Sequence, residues 1–415
     1  MNFVLEKFKL DPNLIMHPRQ QNMHKSLRGI LVICGMWPSK AMDEKKQKWI
    51  NLHALFLHFF VTSVPVLDVI YIYGDQGVSF IKTCHMYTNL ILNLILLTRI
   101  VTVWTEPYKQ LVVKFYNEVH LSNYKFRTDA TMKILHKTER YCHLVLLFVT
   151  ASATFGPFFY VLTPALTNFL NGAFKENSTA ELESPFYIAL PFDYIHSVRN
   201  WCSLAGLFIY VGLFFTCLAM IFDMFMFFYV IHLMGHLEVL VAELSVLSSD
   251  KLMLTREEDD AMFNEMKKII SHHSLMLDAL HLLERVFGPV MLGNYSYDSV
   301  AFCVVLVVLT ENWPMGFIAF AVLTVVIFFQ LIGESYAMEQ LSTSMEELHS
   351  AVCDVSWTCM SLRNKRAYYL LVLITQRPYV FKGVFVVVNL ENMAAILKTI
   401  ISYFIWLKTM GSSTN

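Results

Sequence analysis

The stretch "NWCSLAGLFIYVGLFFTCLAMIFDMFMFFYVIHLMG", residues 200 to 235, is apolar along its whole length, with Asp223 its one acidic residue. A bilayer core is ~30 Å thick. As a helix these 36 residues rise ~54 Å, so the helix must cross the core and continue into water. Asp223 falls ~34 Å along that rise, near the inner interface, where a carboxylate is tolerated. Working outward, runs of comparable character occupy about 49–73, 78–104, 141–168, 285–310, 313–333 and 381–408. With 200–235 they predict seven transmembrane helices and an all-α membrane protein. Composition agrees: 56% of the 415 residues are hydrophobic and 16% charged, against about 25% charged in soluble domains. The net charge of −1 argues against nucleic acid as a partner.

Orientation follows from the basic residues, which collect on cytoplasmic loops. Residues 1–48, 105–137, 236–285 and 334–382 together hold 25 of the 32 Lys and Arg. The opposite loops hold two, Lys175 and Arg199. A cytoplasmic N-terminus and an extracellular C-terminus are expected. No leader-like apolar stretch precedes the first span, so insertion is expected to rely on that span. The sequon at Asn177 falls in the longest outer loop and is the expected glycosylation site. A second, at Asn294, lies inside a span and is discounted. The eight cysteines form no CxxC pair. Cys84, Cys202 and Cys303 stand near outer span ends, as free thiols or as a disulfide.

Glu139-Arg140-Tyr141 resembles the triplet of G-protein-coupled receptors, but it precedes a run that climbs outward, the reverse of the receptor direction. Arg140 is then a basic residue at the inner interface and Tyr141 a headgroup-level aromatic. His232 and His236 share a helical face at i and i+4; without a following Glu they read as interfacial histidines rather than a metal site. No nucleotide loop or nucleophile elbow is present, so neither an enzyme nor a cofactor is expected. Apolar stripes through 236–284, interrupted by the acidic "REEDD" at 256–260, and through 334–378 predict a cytoplasmic helical domain built from the feet of the spans.

The last span is two-faced. Asn392, Ala395, Thr399, Ser402, Trp406 and Thr409 share one side, and Met393, Leu397, Ile400, Ile401 and Phe404 the other. Small and hydroxyl residues let membrane helices pack closely. Repeated around an axis, with Glu391 and Lys398 at its edge, the same stripe would line a water-filled pore.

The final segment, "SAVCDVSW" (350–357), "ITQRPYVF" (374–381) and "ILKTIISYFIWLK" (396–408), resembles the signature of insect odorant receptors. At 389–393 "NLENM" departs from the Ser-Leu-x-Thr-Phe expected there, leaving Glu391 as an added pore charge. The resemblance implies a subunit of an odorant-gated, nonselective cation channel. The channel would be a heterotetramer with the shared co-receptor in the plasma membrane of olfactory neuron dendrites. It implies gate residues Trp406, Thr409 and Met410, which coincide with the stripe that adds Thr399 and Ser402 as pore residues and Glu391 and Lys398 as pore charges. It also implies an anchor domain in which Trp357 and Arg377 are chosen as packing anchor and interface cation. A tastant-type homomeric channel and an inverted seven-span receptor with a cytoplasmic partner are the alternatives. A volatile ligand needs an aromatic cavity in the outer half of the bundle; the candidates are Met86, Tyr87, Phe155, Phe158, Phe159, Leu204, Phe208, Phe317 and Phe320. Burying ~250 Å² of ligand gains ~6 kcal/mol before immobilisation, which sets micromolar sensitivity.

Overall fold

A computed structural model describes residues 21–44, 48–74, 80–124, 128–175, 180–185, 187–247, 254–311, 315–377 and 379–413. Ten α-helices carry these residues: α1 (Asn22–Ile33), α2 (Lys48–Gly74), α3 (Phe80–Trp104), α4 (Glu106–Lys114), α5 (Asp129–Leu170), α6 (Val198–Leu247), α7 (Arg256–Glu311), α8 (Met315–Cys353), α9 (Leu362–Thr375) and α10 (Leu390–Ser413). Four helical segments among the described residues are long and apolar enough to cross a membrane: Leu52–Gly74, Met86–Trp104, Asp129–Leu170 and Val198–Leu247. The chain connecting α5 to α6 covers one end of the bundle, the loop end; α4 and α9 lie toward the other, the foot end.

The long apolar run at 200–235 lies wholly within α6, the axis of the molecule. From Ile221 to Leu240 most of its side chains are buried, as a helix apolar on every side requires. Its aromatic residues meet those of three neighbours. Phe222 stacks on Tyr108 of α4 at 5.9 Å and packs on Phe287 of α7 at 4.9 Å, and Phe225 meets Phe115 edge-on at 5.3 Å.

Helix α5 crosses α6 closely because its inner face is small. Val149, Ala153, Pro157, Val161, Pro164 and Asn168 are its buried positions there. Pro157 has no N–H to give to the carbonyl of Ala153. Thr216 Oγ1 of α6 donates to that oxygen at 2.9 Å, and the helix continues unbroken. Gly212 faces Pro157 so closely that a Cβ would stand 3.1 Å from the proline ring.

Two boundaries differ from the sequence reading. "REEDD" is the opening of α7, not a turn between helices, and its carboxylates sit where the helix dipole favours them. The last helix begins at Leu390 rather than near 381, because Lys382–Gly383 and Val386–Val387 pair as an antiparallel hairpin. Gly288 permits this: a Cβ there would stand 2.9 Å from the Lys382 carbonyl.

Candidate functional site

At the loop end, α2, α3 and α5 bring polar groups into an aromatic setting. Asn93 donates to Asp68 Oδ2 at 2.9 Å, and Tyr160 donates to Asn89 Oδ1 at 3.3 Å. Tyr71 packs against Tyr187, centroids 6.1 Å apart. The α5–α6 connection closes over this region. Asn168 and Trp201 both donate to the Glu183 carbonyl, Tyr194 donates to Ile188, and Leu182, Ile188 and Tyr194 are buried. Such a setting suits a small apolar molecule with one hydrogen-bonding group.

Of the predicted ligand residues, Met86, Leu204 and Phe208 are buried. Tyr87, Phe155, Phe158 and Phe159 are not: each is about half exposed, on the perimeter of the subunit. The small inner face of α5 is the reason, since it turns the phenylalanines outward. The sequence reading did not single out Asp68, Asn89, Asn93 or Tyr160, although polar residues inside an apolar run are a legible hint. The side chains of Phe317, Phe320 and Met410, and the residue Asn177, lie outside the described residues. Cys202 and Cys303 are free thiols.

Deeper in the bundle, Asp223 is 6% exposed and finds its partners within the protein. Arg99 Nη2 donates to its Oδ2 at 3.0 Å and to Asn294 Oδ1 at 2.9 Å. Asn294 then donates to Glu334 Oε1 at 2.7 Å, and Gln330 donates to both Asp223 and Glu334. Arg99 comes from α3, Asp223 from α6, Asn294 from α7 and Glu334 from α8, so one buried guanidinium ties four helices together. The burial of Asn294 agrees with discounting its sequon.

Helix α10 turns its polar stripe away from the protein. Lys398, Thr399, Ser402, Tyr403 and Trp406 line an open cleft of about 450 Å³. Glu391, Thr399, Ser402, Trp406 and Thr409 are exposed, whereas Ile400 is buried and Met393 and Leu397 pack on the core. Ile401 departs from its predicted side and is exposed. The hydroxyls of Thr399, Ser402 and Thr409 donate to carbonyls of their own helix, so each is satisfied locally. Glu391 and Lys398 do not pair with each other.

At the foot end, Trp357 is 49% exposed with the Lys365 ammonium 5.8 Å from its ring, and Arg377 is exposed. His232 and His236 are buried within the protein and take different partners: Nδ1 of His232 accepts the Leu121 N–H at 3.2 Å. His236 Nε2 donates to the Val119 carbonyl at 2.7 Å, which leaves its Nδ1 to accept from His272 Nε2 at 2.9 Å. Burial, with His236 and His273 adjacent, holds the His272 imidazole down to about 3.

The family described as "7tm Odorant receptor" matches residues 77–401. Among Drosophila melanogaster proteins, Odorant receptor 82a is 23% identical over 35% of this chain and 38% of its own length. Odorant receptor 10a is 25% identical over 43% of this chain and 45% of its own. The matched region thus spans less than half of each of these fly receptors. Among solved structures, the olfactory receptor OR5 of Machilis hrabei in complex with eugenol superposes with a TM-score of 0.75 at 16% identity, over 93% of this chain and 97% of that one. The structure of the same receptor without that ligand in its description gives 0.73 at 17% identity.

Proposed function

Since this chain belongs to the insect odorant receptor family, we propose that it is the odorant-binding subunit of a ligand-gated nonselective cation channel, a heterotetramer with the odorant receptor co-receptor. In this reading seven helices span the plasma membrane of olfactory neuron dendrites, the foot end and N-terminus are cytoplasmic, and the C-terminus is outside. The observation that carries it is the outward stripe of α10. A membrane helix that exposes Lys398, Thr399, Ser402 and Trp406 while packing Leu397 and Ile400 has a face made for water or a partner, not for hydrocarbon. Four such helices around an axis enclose a wet path, with Glu391 and Lys398 toward its inner end and Trp406, Thr409 and Met410 as its narrow, dewetting part.

The ligand would sit at the loop end, among Met86, Leu204, Phe208, Asn89 and Tyr160. Tyr160 and Asn89 could take the oxygen of an ester, alcohol or phenol. The ligand opens the pore only if it binds the open form more tightly than the closed one. Trp357 and Arg377, exposed in the single subunit, suit contacts with neighbouring subunits.

The test is whole-cell current in cells expressing the chain with and without the co-receptor, over volatile esters, alcohols and phenols, for wild type and Trp406→Ala. Odorant-evoked current that needs both chains, with altered rectification or pore block in the variant, is expected. Current identical in the variant would remove α10 from the pore.

A further inference from the structure

Four ionisable side chains that this activity does not use meet at the foot end: His24 of α1, His120 between a π-helical turn (Phe115–Val119) and a 3-10 turn (Leu121–Asn123), Glu139 of α5 and His232 of α6. One donor atom from each lies within 4.8 Å of all the others. None is more than 1% exposed. Nε2 of His24 and Nε2 of His120 face each other at 2.6 Å, and the latter stands 3.5 Å from Glu139 Oε1. Neither oxygen of Glu139 accepts a hydrogen bond among the described residues, and Nδ1 of His24 makes none either.

We propose that His24, His120 and Glu139 bind a zinc ion that fastens α1 to the feet of α5 and α6. Donors 2.0–2.2 Å from a tetrahedral zinc stand ~3.3 Å apart, and the two separations here bracket that value. A buried carboxyl group with no hydrogen bond is neutralised either by a proton or by a positive charge beside it. A cation among these donors supplies that charge. Two imidazoles and one carboxylate favour zinc over calcium or magnesium, which take oxygen ligands.

The surroundings fit the role. His120 Nδ1 lies 2.8 Å from Ser122 Oγ and 3.3 Å from the Ser122 backbone N, contacts that hold the ring with Nε2 turned toward His24 and Glu139. His232 is a positioning residue. Its Nδ1 accepts the Leu121 N–H at 3.2 Å, which puts the ring proton on Nε2, an atom 3.9 Å from Cys142 Sγ and within 4.8 Å of the other donors. Rings of Phe115, Tyr116 and Phe228 pack against His24 and wall off the site.

The experiment is elemental analysis and zinc titration of the full-length receptor purified in detergent, beside Glu139→Gln, His24→Gln and His232→Gln. About one zinc per chain that survives desalting is expected in the wild type, with at least 100-fold weaker binding in the first two variants and ~10- to 100-fold in the third. Zinc added to the stripped wild type should raise its Tm by several degrees. If the variants do not fold, X-ray absorption on the zinc-loaded wild type decides, with nitrogen and oxygen neighbours only expected in the first shell. Sulfur neighbours, zinc retained by Glu139→Gln, or no zinc at saturating concentration would overturn the assignment; the last would leave a proton shared among the imidazoles as the source of charge. None of these readouts depends on current, so their failure leaves the channel reading standing.

Discussion

Arg99 is 2% exposed, with three acidic side chains, Asp223, Asp298 and Glu334, buried in the same region of the bundle. Removing one partner of a buried pair leaves the other charge uncompensated, a loss of about 3–5 kcal/mol. Arg99→Met should therefore lower thermal stability in detergent steeply, and Arg99→Met with Asp223→Asn should recover much of the loss. A double variant no better than the single would mean that packing, not charge, is what Arg99 provides. His272 is one of the buried imidazoles that set behaviour toward acid. Its folded state binds a proton only near pH 3, whereas the unfolded chain binds one near pH 6.5, so between those values unfolding takes up protons. The stability is complete above pH 6.5 and falls with pH, by about 1 kcal/mol at pH 5.5. Thermal melts at pH 7.5 and 5.5 should differ less for His272→Gln than for the wild type. Sequence alone revealed Asp223 but not its partner: Arg99 lies 124 residues away, and only the crossing of α3 and α6 brings them together.

The hairpin before α10 shows how little of an element's start is visible locally. Residues 381–388 are as apolar as a span, and hydropathy could not separate them from the helix. What ends the helix is the strand pairing of Lys382 with Val387 and Gly383 with Val386, docked on Gly288 of α7. Gly288→Ala should press on the Lys382 carbonyl and move the hairpin that leads into the last helix, costing about 1–3 kcal/mol. The measurement is paired: the Tm, and the concentration of odorant for half-maximal current. A shift in Tm alone would mean the hairpin is a passive connector. The two-faced character of α10 was legible because polar and apolar residues alternate at helical spacing. The inner face of α5 was not, since small residues and prolines carry no periodic signal of their own.

At the scale of the molecule, the exposed Trp357 and Arg377 indicate surface that a single subunit leaves uncovered. Trp357→Ala should leave the Tm of the isolated chain within about 0.5 kcal/mol of wild type, as for exposed positions generally. It should reduce the fraction recovered as an assembly with the co-receptor on size exclusion. Unchanged assembly would move the contact elsewhere. The helix α6 has a last consequence. Its 50 residues make one uninterrupted rod of ~75 Å that carries Thr216, Asp223 and His232 to three different neighbours. One residue added near its middle would rotate everything beyond it by about 100°, turning Asp223 from Arg99 and His232 from Leu121 at once. Substitutions that conserve apolar volume can be absorbed along this rod, but its length cannot drift, and sequences that diverge widely elsewhere should keep the interval between these residues.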